Sequence, residues 1–115
     1  MDDIQERLEH YEKKDRERKE REAEIMRIDL YLFVYARNHD TVNEDFCRMY
    51  MHRNAMILDY GKTYGTKALE RLREMLDDGR KKLLARIHEI ERALKNDKKQ
   101  GDQNDQTRAF NKNNN

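Results

Sequence analysis

The sequence predicts an all-α protein of three long helices, or four if the last breaks at Gly79. Three observations carry this. In 115 residues there is no proline, no serine and only four glycines, so the turns that a β-sandwich or barrel needs every few positions are missing. Charged residues make up 43% of the chain, and they alternate with apolar ones at helical spacing. The apolar residues are also concentrated: 34 of 41 lie between Ile25 and Leu94. That divides the chain into a charged helical arm (1–24), a helical core (25–96) and a polar tail (97–115). A core of 72 residues is marginal alone, so a homodimer is expected.

The first helix begins at Asp2 or Asp3 as cap, with Ile4, Leu8 and Tyr11 on one face. Residues 12–22 are all charged. Glu12–Arg16, Asp15–Lys19 and Glu17–Arg21 are acid-to-base pairs at i, i+4, each stabilising a helix by ~0.2–0.5 kcal/mol. The alternative is a frayed arm. The run Ile25 to Ala36 is apolar nearly all round and should be buried on several sides, at the centre of the fold or in an interface. A strand over 31–35 is the alternative, since that stretch is β-prone. The charged helical run feeding into it favours the helix.

Asn38, His39 and Asp40 read as a turn. Thr41-Val-Asn-Glu44 is a capping-box pattern opening a helix from Val42 to about Tyr60, with Gly61 as its stop. Its buried side is expected to hold Val42, Phe46, Met49, Tyr50, Ile57 and Tyr60, widened by Met51, Ala55, Met56 and Leu58. Residues 61–65 read as a loop and Thr66 as the next cap. From Leu69 on, Leu76, Leu83 and Ile90 recur every seven residues, and Ile87 and Leu94 are also seven apart. The phase survives Gly79, which favours one coiled-coil-like helix over about 67–95, with a weak point of ~1 kcal/mol. The break at Gly79 remains open. The tail from 97 is polar and reads as disordered, with Phe110 its only large apolar residue.

Catalytic chemistry is poorly supported. There is no serine nucleophile. Cys47 falls between Phe46 and Tyr50, where a small buried thiol is the ordinary reading, and His52 lies on a different helical face. His10, His39, His52 and His88 have no second ligand at i+3 or i+4. His88-Glu89 begins like the helical zinc motif but lacks its second histidine. Glu44, Asp45 and Asp59 read as cap and surface acids. Gly61-Lys-Thr resembles the end of a phosphate loop without the upstream glycine or strand. The expectation is a non-enzyme with no cofactor, no metal and no small-molecule substrate.

Two binding readings remain. The first is a helical protein-interaction module, a small regulator, inhibitor or adaptor of a larger assembly, working as a homodimer with an unidentified protein partner. The expected helix lengths are unequal, roughly 50 Å for the first and about 27 Å for the second, so overhanging ends need partners. Tyr31, Phe33, Tyr35, Leu83, Ile87, Ile90 and Leu94 are the expected interface. The second is a helix-turn-helix-like binder of duplex DNA, using Lys62, Lys67, Arg71, Arg73, Arg80, Lys81, Lys82 and Arg86. Residues 62–86 hold eight basic and four acidic side chains. The whole chain is only +1, which is not the footprint of an obligate nucleic-acid binder. A single cysteine, no apolar leader and no stretch long enough to span a bilayer point to the cytoplasm.

Overall fold

The computed structural model describes the backbone of residues 2–39 and 43–114, and the side chains of 3–39 and 43–98. The protein is all-α: α1 is Asp2–Asn38, α2 is Glu44–Tyr64 and α3 is Thr66–Asn114, with no strand among the described residues. The chain divides into two compact units, Met1–Arg80 and Lys81–Asn115, with the boundary inside the expected 25–96 core. The second unit is the continuation of α3. Through the polar tail α3 continues to Asn114, and of the tail's side chains those of Asp97 and Lys98 are described.

In the first unit, α1 and α2 run antiparallel. Arg21 meets Asp59, Glu22 meets Tyr60, and Asp29 meets Arg53, so rising numbers on α1 face falling numbers on α2. The first stretch of α3 runs parallel to α1, because Glu22 meets Arg71 and Asp29 meets Arg80. Ile25, Tyr60, Leu72 and Leu76 form the buried apolar cluster, and Met56, Ile57, Tyr64 and Leu69 pack around it. These are long-range contacts between faces that the 3.6-residue period brings together.

Helix α1 starts at Asp2, so Asp2 and Asp3 lie in its first turn rather than capping it, and it carries its charged run without interruption. Asp15 bonds both Arg18 (2.5 Å) and Lys19 (3.1 Å), and Arg18 continues to Glu22 at 2.9 Å. The Arg18 guanidinium, and then Lys19, hold the Asp15 carboxyl below the usual aspartate range. The Ile25–Ala36 segment is helix and not strand. Its fully buried side is narrower than an all-round apolar segment requires: Ile25, Asp29 and Leu32 face inward while Tyr31 is exposed.

The helix α2 departs from expectation at both ends. Its cap is Asn43, whose Oδ1 accepts the Phe46 N–H at 2.9 Å, so the capping box from Thr41 to Glu44 is not the device that starts it. Thr41 and Val42 lie outside the described residues. Gly61 does not end the helix. It lies inside α2, where a Cβ would come 2.9 Å from Leu69 Cδ2. Gly61 thus serves the close approach of α2 to α3, and the helix runs one turn further, to Tyr64. Gly65 alone makes the turn. Its φ of 93° and ψ of 174° suit glycine, its N–H donates to Gly61 O at 2.9 Å, and its own carbonyl accepts from Leu69 N at 3.1 Å. The expected five-residue loop and Thr66 cap are replaced by this single residue.

The buried side of α2 also differs. Tyr60 is buried and Phe46, Met56 and Ile57 are partly so, but Met49, Tyr50, Met51, Ala55 and Leu58 are exposed. Cys47 is a free, exposed thiol and not a buried one, because its position faces away from α1 and α3. Helix α3 passes through Gly79 unbroken, as the retained phase predicts.

Candidate interaction surface

Two buried carboxylates organise the first unit. Glu22 is 6% exposed and Asp29 is 2% exposed, seven residues apart on α1 and on the same stripe as Ile25 and Leu32. Glu22 Oε1 accepts three hydrogen bonds: from Arg18 on α1 at 2.9 Å, from the Tyr60 hydroxyl on α2 at 2.5 Å, and from Arg71 on α3 at 3.0 Å. Asp29 is held by Arg53 from α2 and by Arg80 from α3. Arg53 Nε donates to Oδ1 at 2.7 Å; Arg80 Nε donates to Oδ2 at 2.7 Å and Arg80 Nη2 to Oδ1. Each carboxylate therefore ties all three helices together, and every buried side-chain polar atom among the described residues has a partner.

Burial drives the Tyr60 phenol well above its usual range, and its hydrogen bond to Glu22 adds to the shift. The Asp29 carboxylate holds the Arg80 guanidinium more firmly protonated still. These side chains are already mutually satisfied. They lock register rather than present free chemistry. Among the described residues, no three histidine, cysteine, aspartate or glutamate side chains gather to hold a metal, and no helix is long and apolar enough to cross a membrane.

The expected interface residues fall into two groups. In the first unit, Tyr31 is exposed and Phe33 and Tyr35 are partly buried. Tyr35 is used within the chain: it stacks on His39 at 3.9 Å and on Phe46 at 5.4 Å, and its hydroxyl accepts from Asn43 Nδ2 at 2.6 Å. It closes the end of α1 against the start of α2. In the second unit, Leu83 and Ile87 are partly buried and Ile90 and Leu94 are exposed.

The basic residues also separate. Arg71 and Arg80 are the partners of Glu22 and Asp29, so neither stands ready for phosphate. Lys62, Lys67 and Arg73 are exposed on the first unit, and Lys81, Lys82 and Arg86 on the second. The single-residue turn at Gly65 replaces the looser turn of the helix-turn-helix outline.

Two surface features were not read from the sequence. One is the exposure of the α1 face ahead of the bundle, whose apolar stripe the sequence did show. Ile4, Leu8 and Tyr11 are 65%, 56% and 67% exposed. The α1–α2 register matches residue 22 with 60 and 29 with 53, so Tyr64 is reached near residue 18 and α2 ends there. The sequence held the signal: residues 4, 8, 11, 25 and 32 share one heptad seam with 15, 18, 22 and 29. The other is an open groove of about 430 Å³ between α2 and α3, lined by the apolar Ile57, Leu58, Leu69 and Leu76 and by Arg53, Arg73 and Arg80. No protein-family model, curated protein or solved structure matches this chain.

Proposed function

We propose that this protein acts by binding other protein chains: a non-enzymatic helical interaction module, working as a homodimer that regulates, inhibits or adapts a larger assembly in the cytoplasm. The observation that carries the reading is the Ile4–Leu8–Tyr11 face, three large apolar side chains more than half exposed on one helical stripe. A regular helix face of this kind costs free energy in water unless another chain covers it. Ile90 and Leu94 of the second unit offer a second face of the same type. Six methionines and six tyrosines supply adaptable contact area. In a reducing compartment the exposed Cys47 stays a thiol.

Sedimentation equilibrium of the full chain from low to several hundred micromolar tests this. The expected result is a monomer–dimer equilibrium, weakened when Ile87 and Ile90 are replaced by lysine. A wild-type chain that stays monomeric throughout, and that captures no protein partner, would overturn the reading.

A further inference from the structure

We infer that the α2–α3 groove of one copy receives the start of α1 from a second copy. The inference rests on the homodimer reading and names its contact. Three helices leave the groove between α2 and α3 without a fourth, and its apolar lining is Ile57, Leu58, Leu69 and Leu76. Leu58 is 61% exposed there. The charged side chains lining it are all arginines, Arg53, Arg73 and Arg80; Asp29 offsets one of those charges and Asp77 lies close enough to act on Arg80, which leaves the groove net positive.

The occupant must therefore be helical, apolar on one stripe and acidic. Residues 2–12 meet all three requirements. They are helical, and they present Ile4, Leu8 and Tyr11. They hold five acidic side chains (Asp2, Asp3, Glu6, Glu9 and Glu12) against one basic one, Arg7. Net charge −4 on the segment meets net positive charge on the groove. Two copies of the segment facing each other would instead set like charge against like. The three apolar side chains span about 10 Å of helix at 1.5 Å per residue. Leu69 to Arg80 of the groove wall runs about 16 Å on the same rise, so the stripe fits within it.

The segment cannot fill its own groove as a continuous helix. The α1–α2 and α1–α3 registers place residues 4–11 beyond Tyr64 and ahead of Thr66, past the Gly65 turn. The groove starts on the other side of that turn. A second copy, reciprocating, supplies the segment and closes the pair.

Mixed disulfide trapping in a Cys47→Ala background tests the contact. One chain carries Leu8→Cys and the other Leu58→Cys, both at exposed positions, with folding checked by circular dichroism. The expected product on oxidation is the mixed dimer, in at least fivefold excess over either homodimer. Leu8→Lys and Leu58→Glu should each weaken dimerisation at least tenfold. Homodimers linked through Leu8→Cys alone would place the two arms together and overturn the proposal. A chain carrying both cysteines that closes on itself as a monomer would overturn it too. A dimer indifferent to Leu8→Lys and Leu58→Glu but lost on Ile87 and Ile90 replacement would sink this contact and leave the interaction-module reading standing.

Discussion

Arg80 of α3 grips Asp29 of α1 through both carboxylate oxygens, Nε on Oδ2 at 2.7 Å and Nη2 on Oδ1. The carboxylate is 2% exposed and Arg53 holds it from a third helix. A buried charge that loses a partner keeps its desolvation cost, and breaking a fully buried pair costs ~3–5 kcal/mol. Arg53 remains and the Arg80 side chain is about one-third exposed, so Arg80→Met should cost less, about 2–3 kcal/mol. Urea unfolding measures it. Replacing Asp29, Arg53 and Arg80 together by leucine or methionine should leave stability near wild type, because no orphan charge remains. An equal loss in the triple and the single variant would count against this account.

Alkaline pH should unlock the other node. Tyr60 carries its proton to Glu22, and burial, then that hydrogen bond, raise its folded-state value above the ordinary tyrosine value near 10. A raised value means the stabilisation is fully present below about pH 10 and is lost as pH climbs toward the folded-state value. Thermal melting between pH 8 and 11.5 should show a flat region followed by a decline above 10. Tyr60→Phe should lower stability by about 1 kcal/mol at pH 8 and make the decline shallower. A Tyr60→Phe chain with an undiminished alkaline decline would assign the effect to another group.

Two glycines should respond in opposite directions to alanine. Gly65 has φ of 93° with ψ of 174°, where an L side chain is strained, so Gly65→Ala should destabilise by about 1–3 kcal/mol despite open space around it. Gly79 lies mid-helix, and a Cβ there meets Leu30 and Met26 at ordinary distances of 3.8 and 3.9 Å. Gly79→Ala should stabilise by up to about 1 kcal/mol. Melting temperatures of the pair, read against wild type, check both signs.

Duplex DNA should bind weakly at most. Arg71 and Arg80 serve carboxylates, which leaves Lys62, Lys67 and Arg73 as the exposed cations in the first unit's part of the 62–86 stretch. Fluorescence anisotropy with labelled duplex should show no saturable binding near physiological salt. Tight binding that falls steeply with salt and disappears in Lys67→Ala/Arg73→Ala would favour a nucleic-acid partner instead.

The three helices and their order were determined by the sequence, because helical period and helix-forming residues are local properties; the retained phase favoured passage of α3 through Gly79, and the structure decided it. The absence of proline and the apolar residues at helical spacing suffice for the helices. Tertiary structure decided the rest. Glu22 and Asp29 look like two more surface acids in a charged helix until Tyr60, Arg71, Arg53 and Arg80 arrive from 24 to 51 residues away. Which glycine ends α2 was likewise not local. Gly61 stays inside α2 where Leu69 of α3 packs close against it, and the turn falls to Gly65. The exposed face at Ile4, Leu8 and Tyr11 follows from where the neighbouring helices stop. Sequence periodicity records which side of a helix is apolar, whereas burial also depends on what packs against that side.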